Sequence, residues 1–401
     1  MSDSLARWIT LLLAATCAMA VATVYFAQPL LESIAADLGV AQECIGWVVA
    51  ATQAGYALGL VLIVPLGDLF DRKRLVLGQL LVAALALVAV GLAQDWAVLL
   101  GALALVGLMA VMVQVMVAHA ATVASPDRQG QAVGTVTSGV VLGILAARLV
   151  SGALADLAGW RSVYFVAAGM LLMMALVLCY CLPAGRRPER RSGYLALIGS
   201  LFSLYRQDRL LRRRGLFGLL IFAAFSVLWS SMVLPLGAAP LALSHTEIGL
   251  FGLAGIAGTL AASRAGRLAD KGLGERTTGL ALALLTLSWL PTAFVGQSLV
   301  AFTLGVLMLD FAVQAVHVTN QSLLLAGRGE MASRLIGAYM CCYSIGSGLG
   351  AVLASWMYAR WGWGAVCALG MGISAVALGY WLWLQTERAA SAALHRSGQN
   401  L

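Results

Sequence analysis

The chain has 401 residues, of which 61% are hydrophobic and only 10% are charged, whereas soluble domains carry about 25% charged residues. That composition excludes an ordinary soluble enzyme. The net charge of +8 could suggest a nucleic-acid partner, but the basic residues concentrate in alternate loops between apolar stretches, which indicates membrane topology instead.

Twelve apolar stretches follow one another along the chain, each about as long as the roughly 20 residues that a helix needs to cross a bilayer. They predict an all-α integral membrane protein with twelve transmembrane helices. The predicted spans are 8–34, 44–66, 75–93, 97–122, 130–156, 160–182, 215–239, 246–266, 277–296, 298–325, 334–358 and 362–385. The first stretch resembles a secretory signal, but it continues unbroken to Pro29, which favours a membrane helix over a cleaved signal.

The longest break between spans divides the chain into six plus six spans. We expect an N-terminal six-helix bundle over 1–182, a basic cytoplasmic linker over 183–214, a C-terminal bundle over 215–388 and a cytoplasmic tail over 389–401. If both termini are cytoplasmic, 22 of the 25 lysines and arginines lie inside. The positive-inside rule therefore predicts this orientation. We expect the membrane to be a bacterial inner (plasma) membrane.

Two short motifs occur at the same place in both halves. Gly67, Leu69 and Asp71 after the second span match Gly266, Leu268 and Asp270 after the eighth, and Gly159-Trp160 before the sixth span matches Gly362-Trp363 before the twelfth. Repetition at equivalent places predicts two pseudo-symmetric six-helix bundles related by an axis along the membrane normal.

The Gly67/Asp71/Arg72 loop, its weaker copy, the 6+6 layout and the basic central segment resemble the major facilitator superfamily over essentially the whole chain. This loop differs from the usual family motif, which has a glycine where this chain has Arg74. The resemblance implies two bundles that rock about a central site, with the first, fourth, seventh and tenth helices lining the cavity.

In that family the loop is a gate latch whose charge contacts break when the transporter changes state. The resemblance therefore assigns a gating role to Gly67, Asp71, Arg72, Gly266 and Asp270. The alternative is that the loop only ends one helix and starts the next, and the duplication at Asp270 favours the latch.

The fifth span carries Arg148 deep within its apolar sequence, where a charge costs about 2.5 to 3.5 kcal/mol on insertion scales. Gly139, Gly143, Ala146 and Val150 form a small-residue stripe for close helix contact, and Arg148 points nearly the opposite way. Drug-efflux members of the family carry a Gly-rich motif with a Gly-Pro in this helix. The stripe resembles that branch, although the proline is missing here.

The tenth span places Asp310, Gln314, His317 and Gln321 within about 60° of one helical face. Facing lipid would leave their polar groups unsatisfied at several kcal/mol each, so this face must point inward. Asp310 is either a carboxylate that binds and releases protons during transport or a structural ion-pair partner of Arg148. His317 is either a third proton-coupling residue or a hydrogen-bonded packing residue, and packing is the commoner role for a lone buried histidine.

Further polar and aromatic residues lie at mid-membrane depth and predict a cavity with several amides and a few aromatic rings. The predicted substrate-binding residues are Tyr25, Gln28, Gln53, Gln114, Trp229, Gln314 and Gln321. The sequence lacks a Walker loop, a Gly-rich nucleotide fingerprint, an HExxH motif and a paired Cys/His site. We therefore expect no cofactor, no metal and no enzymatic activity.

The predicted function is secondary active transport, with protons driving the export of a small amphipathic drug or metabolite through a protein that works as a monomer. One alternative is an importer or uniporter of a sugar or other polar metabolite, which the glutamines of the predicted cavity would suit. A second is a membrane scaffold or receptor, in which neutral replacement of Arg148 and Asp310 would leave function intact.

Overall fold

The computed structural model of the protein describes residues 3–123, 129–182, 193–328 and 331–398, and these ranges contain helices and no strand. The N-terminal half contains α1 (Asp3–Tyr25), α2 (Leu31–Asp37), α3 (Gly46–Leu62), α4 (Arg72–Leu92), α5 (Trp96–Ala110), α6 (Met112–Val123), α7 (Gln129–Ala158) and α8 (Trp160–Cys181). The C-terminal half follows with α9 (Tyr194–Gln207), α10 (Arg209–Ser231), α11 (Val233–Gly237), α12 (His245–Leu250), α13 (Gly255–Asp270), α14 (Gly274–Thr292), α15 (Leu299–Leu325) and α16 (Ala332–Gly398).

Ten segments of the described chain are long and apolar enough to cross a membrane. One of them, Arg334–Glu387, contains two predicted spans, because the backbone leaves the helical conformation at Gly362 within α16. The ninth predicted span is α14, which packs against α15 and α16 but has a polar first turn. The prediction of twelve helices in an all-α membrane fold is therefore confirmed.

The helices alternate in direction, so their ends define two faces of the molecule. We call the face at which α1 and α10 begin the terminal face. The opposite face, at which α2 and α11 end, is the distal face. On the distal side the backbone turns at Gly159 and at Gly362, with φ values of 79° and 71°. Glycine adopts this region most readily, which explains why the Gly-Trp pairs of the two halves share their glycine.

The first and seventh spans are both interrupted in their distal halves. The first span passes from α1 through a short 3-10 helix at Gln28–Leu30 into α2, and the seventh passes from α10 through Met232 into α11. Proline contributes to both breaks, since Pro29 lies in the 3-10 helix and Pro235 lies in α11. Discontinuous helices of this kind expose backbone groups and commonly line transport sites.

The glycines of the fifth span allow α7 to pack directly on α1, as predicted. A Cβ added at Gly139 or Gly143 would lie 2.3 or 2.2 Å from the carbonyl oxygen of Ala14 or Ala18. The other half of the predicted stripe is wrong, because Ala146 and Val150 are exposed. Beyond Gly143 the buried face of α7 carries Ala147, Arg148 and Ser151 instead.

The predicted linker over 183–214 is partly helical. Residues 183–192 lie outside the described residues, α9 follows them, and the last six residues of the predicted linker belong to α10. Tyr194 donates a hydrogen bond to the Leu62 carbonyl of the N-terminal half at 2.8 Å, and Tyr205 donates to the Ala338 carbonyl of the C-terminal half. The α9 helix thus contacts both halves at the terminal face.

Arg214 corrects the predicted linker boundary most clearly. It is 3% exposed, forms an ion pair with Glu275 of α14 and donates to Asn320 of α15. A neighbouring acid, Asp208, caps α10 through the Leu211 amide and accepts a hydrogen bond from Arg328 at 2.6 Å. Partial burial disfavours the Asp208 carboxylate, but these hydrogen bonds outweigh it and hold its pKa below the usual value.

Candidate functional site

Arg148 lies inside α7, about 15 Å along the helix from its distal end, and is only 2% exposed. Its Nε donates to the side-chain oxygen of Gln28 at 2.6 Å. The guanidinium carbon lies 3.6 Å from the centroid of the Trp229 ring and 5.2 and 5.8 Å from those of Tyr25 and Phe225. Aromatic faces attract cations, so these rings compensate part of the buried charge.

Asp310 of α15 is 3% exposed, and its carboxylate accepts a hydrogen bond from Trp229 Nε1 at 3.0 Å. Trp229 therefore contacts both predicted charged residues, Arg148 through its ring face and Asp310 through its N–H. Asp310 and Trp229 belong to the C-terminal half and Arg148 to the N-terminal half. The two predicted charges thus come together across the interface between the halves, with an indole connecting them.

A cavity lies beside Arg148, between the breaks in the first and seventh spans. Its volume is about 10 Å³, roughly enough for one water molecule. The lining residues are Gln28, Pro29, Arg148, Trp229, Met232, Val233 and Ile248. Both halves contribute to this wall, so separating the halves would enlarge the cavity.

The distal face is closed over this cavity by contacts between the halves. His245 at the start of α12 donates from Nδ1 and from its backbone amide to Asp156 at the end of α7, at 2.7 and 3.2 Å. Its Nε2 lies 2.6 Å from the Ser33 hydroxyl, and Thr246 gives Asp156 two more hydrogen bonds. A Cβ at Gly249 would lie 2.5 Å from the Arg148 carbonyl oxygen, so α12 packs directly on α7.

The predicted polar face of the tenth span does not converge on one site. Gln314 packs against a glycine of α13. His317 hydrogen-bonds Tyr339 of α16 at 3.0 Å, and Gln321 lies 3.3 Å from the second His317 nitrogen. The arrangement favours the packing alternative for His317, and Gln321 forms a local pair with this histidine.

The other predicted cavity residues are distributed along the interior. Tyr25 hydrogen-bonds Tyr343 of α16 through the two hydroxyls, which lie 2.7 Å apart. Gln53 is buried beside Tyr343, and Gln114 donates to Tyr56 at 3.4 Å. The Tyr25–Tyr343 pair therefore forms a second contact between the halves, on the terminal side of Arg148.

The predicted gating loop contacts its own half in this state. Arg72 donates to the Gly67 carbonyl at 3.3 Å and to the Ala118 carbonyl of α6 at 3.1 Å. Asp71 caps α4 by accepting from the Lys73 amide at 2.8 Å. The arginine of the loop thus hydrogen-bonds to α6, and its aspartate hydrogen-bonds to the start of α4.

The weaker copy of the loop follows α13. A Cβ added at Gly266 would lie 3.7 Å from Val318 of α15, so the helices are close there. The Asp270 side chain lies outside the described residues.

Sequence reasoning missed several residues of the interface. Tyr343 and Met232 lie in long apolar runs without a distinguishing motif, and Ser33 and His245 lie at helix ends, where polar residues are common. A run of charged residues usually marks a loop, so the sequence predicts Arg214 to lie in the basic linker. Among these residues only Tyr343 has a signal in the sequence, because it follows Tyr339 by one helical turn.

Comparison with known proteins gives a match to the family model of the Major Facilitator Superfamily over residues 11–347. The uncharacterized transporter YgaY of Escherichia coli O157:H7 is 43% identical over 363 residues, which cover 90% of this chain and 92% of that protein. Multidrug resistance protein MdtG of Escherichia coli is 27% identical, covering 77% of this chain and 76% of MdtG.

The fold also matches a solved structure described as a bacterial homologue of the human lysosomal transporter Spinster in an inward-facing and occupied conformation. The TM-score is 0.79 at 14% identity, and the match covers 96% of this chain and 98% of the other. At this identity the likeness concerns the fold alone.

Proposed function

The chain belongs to the major facilitator superfamily, and from that membership we propose that this membrane transporter exports small amphipathic compounds in exchange for protons. The transport cycle would alternate between states that open the central cavity to one face or the other. Asp310 is the proposed proton carrier, Arg148 its electrostatic partner, and the cavity beside Arg148 the core of the substrate site.

The observation that carries this proposal is the indole bridge between two buried charges on opposite halves. Arg148 lies on α7, whereas Trp229 and Asp310 lie on α10 and α15. Any rocking of the halves changes the distance from the guanidinium to the carboxylate. A carboxylate binds a proton more tightly when it is desolvated and releases the proton when a cation or water approaches. The motion of the halves would therefore protonate and deprotonate Asp310.

The distal contacts supply the other requirement of alternating access. Asp156 and Ser33 on one half and His245 and Thr246 on the other form a closed gate. A substrate or proton shifts the equilibrium between states only if it binds them with different affinities. Because the cavity wall is shared between the halves, a substrate that fills it would bind the closed-gate and open-gate states differently.

Export is favoured over import by two supporting features. MdtG, a relative at 27% identity, is named for multidrug resistance, and the fifth span has the glycine stripe that packs on α1. We place both termini in the cytoplasm, as the distribution of basic residues predicts, and we propose that one chain is the functional unit.

The test is transport in proteoliposomes with an imposed pH gradient, using labelled drugs, sugars and amino-acid-like metabolites, with an internal pH dye as a second readout. The proposal expects substrate accumulation against its gradient and a matching proton flux, both abolished by a protonophore. Transport that is unchanged by the protonophore would show an uncoupled carrier. Proton flux with a sugar taken up along the gradient would favour the importer instead.

A further inference from the structure

The guanidinium of Arg148 has a donor that no described residue uses. Its Nη2 is buried and makes no hydrogen bond within the described part of the chain, whereas its Nε is held by Gln28. The nearest acid in the site, Asp310, accepts instead from Trp229. The arginine is 2% exposed and lines the cavity, so the residue that carries the spare N–H group borders a space shared by both halves.

The aromatic rings around Arg148 balance part of its charge without occupying its Nη2 donor. The rings of Trp229, Tyr25 and Phe225 lie within 6 Å of the guanidinium carbon, and an aromatic face stabilises a cation without accepting its N–H groups as an oxygen does. A buried charged donor without an acceptor carries a large desolvation penalty. An incoming anion would relieve that penalty more than a neutral acceptor would, since charge-assisted hydrogen bonds are about twice as strong.

The rest of the cavity wall indicates what accompanies the anionic group. Pro29, Met232, Val233 and Ile248 present apolar surface next to the guanidinium. Methionine adapts its shape readily to different apolar ligands, and Met232 lies at the break between α10 and α11. A carboxylate directed at Arg148 would place an attached hydrocarbon group against this apolar wall when the halves separate.

We propose that the substrates are amphipathic organic anions whose carboxylate binds Arg148 and whose apolar part contacts Met232, Val233 and Ile248. This assignment rests on the proposed transport function and specifies its substrate class. It makes Arg148 a substrate-binding residue, and Gln28 and Trp229 the residues that position its guanidinium.

The experiment uses the purified full-length protein and three compounds with one carbon skeleton, 4-phenylbutanoate, 4-phenylbutanamide and 4-phenylbutylamine. Binding at pH 7 is measured by the rise in unfolding temperature with ligand concentration. The proposal expects the carboxylate to bind the wild-type protein about tenfold or more tightly than the amide, the gain that a charge-assisted hydrogen bond provides, and the amine to bind least. Equal binding of all three, or preference for the amine, overturns the anion assignment.

Variants locate the site. Arg148→Gln is expected to lose the preference for the carboxylate, and Arg148→Lys to keep part of it, because lysine retains the charge but not the planar donors. The matched control is Arg161→Gln, since Arg161 also lies over a tryptophan ring, at 4.4 Å from Trp160, but pairs with Asp37 outside the cavity. The wild-type comparison remains decisive if Arg148→Gln fails to fold, and a carboxylate preference that survives in a folded Arg148→Gln overturns the proposal.

Proteoliposome flux of labelled 4-phenylbutanoate separates this proposal from the broader one. Binding without transport under any gradient would leave the anion site standing and contradict the transport function. Gradient-driven transport of the amine with no binding of the carboxylate would support proton-coupled export and overturn the anion site.

Discussion

The Arg148 guanidinium and the Trp229 ring lie face to face, 3.6 Å from charge centre to ring centroid, although they belong to opposite halves of the molecule. Trp229 also donates to Asp310 at 3.0 Å. One indole therefore couples the contact between the halves to the only acidic residue predicted near mid-membrane. A motion that separates α7 from α10 must disturb the environment of that acid.

Replacing Asp310 by asparagine removes the titratable group but keeps an oxygen to accept from Trp229. We expect Asp310→Asn to lose gradient-driven accumulation while keeping substrate binding and counterflow, because the amide cannot carry a proton. Proteoliposome transport with and without a pH gradient measures this. Asp95→Asn is the control, since Asp95 is an exposed cap of α5. Full pH-driven transport by Asp310→Asn would move the coupling role to His317 or indicate an uncoupled carrier.

Trp229→Phe keeps an aromatic face for Arg148 but removes the hydrogen bond to Asp310. Loss of a hydrogen bond to a charged group costs about 1.5 to 3 kcal/mol, and we expect reduced transport together with reduced stability. The matched variant is Trp289→Phe, because Trp289 is buried and donates to Ser374 at 3.2 Å within the C-terminal half. That variant should lose about 1 kcal/mol and transport normally. Equal transport by both would remove Trp229 from the mechanism.

Asp71→Asn tests the latch separately from the helix cap. Asparagine caps helices about as well as aspartate, so α4 should still begin at Arg72 and the unfolding temperature should change little. If the Asp71 charge makes a contact in only one state, transport should slow across a full substrate titration. A normal rate at every concentration would leave the loop as a structural turn.

The distal gate should open more often when Asp156 is replaced by asparagine. The single amide oxygen cannot accept the four hydrogen bonds that the carboxylate accepts from His245 and Thr246. At about 1 kcal/mol for each lost bond, labelling of a cysteine introduced at Ile248 in a cysteine-free background should accelerate at least about fivefold. Asp37→Asn is the control, because Asp37 pairs with Arg161 within one half. Unchanged labelling in Asp156→Asn would exclude this gate.

Topology can be tested with two variants that each carry one introduced cysteine. Ser192 lies outside the described residues, in the predicted cytoplasmic segment, and Asp95 lies at the distal face before α5. An impermeant maleimide added to intact cells should modify Asp95→Cys and spare Ser192→Cys. The reverse pattern would invert the orientation drawn from the positive-inside rule.

The sequence by itself determined the properties that depend on local composition. Twelve apolar lengths and the 6+6 division could be predicted, because crossing a bilayer requires a fixed length of apolar helix. The repeated Gly-Trp pair is visible in the sequence as well, and its glycines adopt a positive φ that glycine accommodates most readily. The burial of Arg148 and Asp310 also followed, since a charge within an apolar span must avoid lipid.

Only the tertiary structure decided which side chains meet. Periodicity placed Asp310 and His317 on one face of α15, but the rotation and spacing of neighbouring helices directs the first to Trp229 and the second to Tyr339. Arg214 reads as a linker residue, yet the packing of α10 on α15 and α16 buries it, and it pairs with Glu275 of α14. Such contacts join residues far apart in sequence, and they depend on close helix packing that no local pattern encodes.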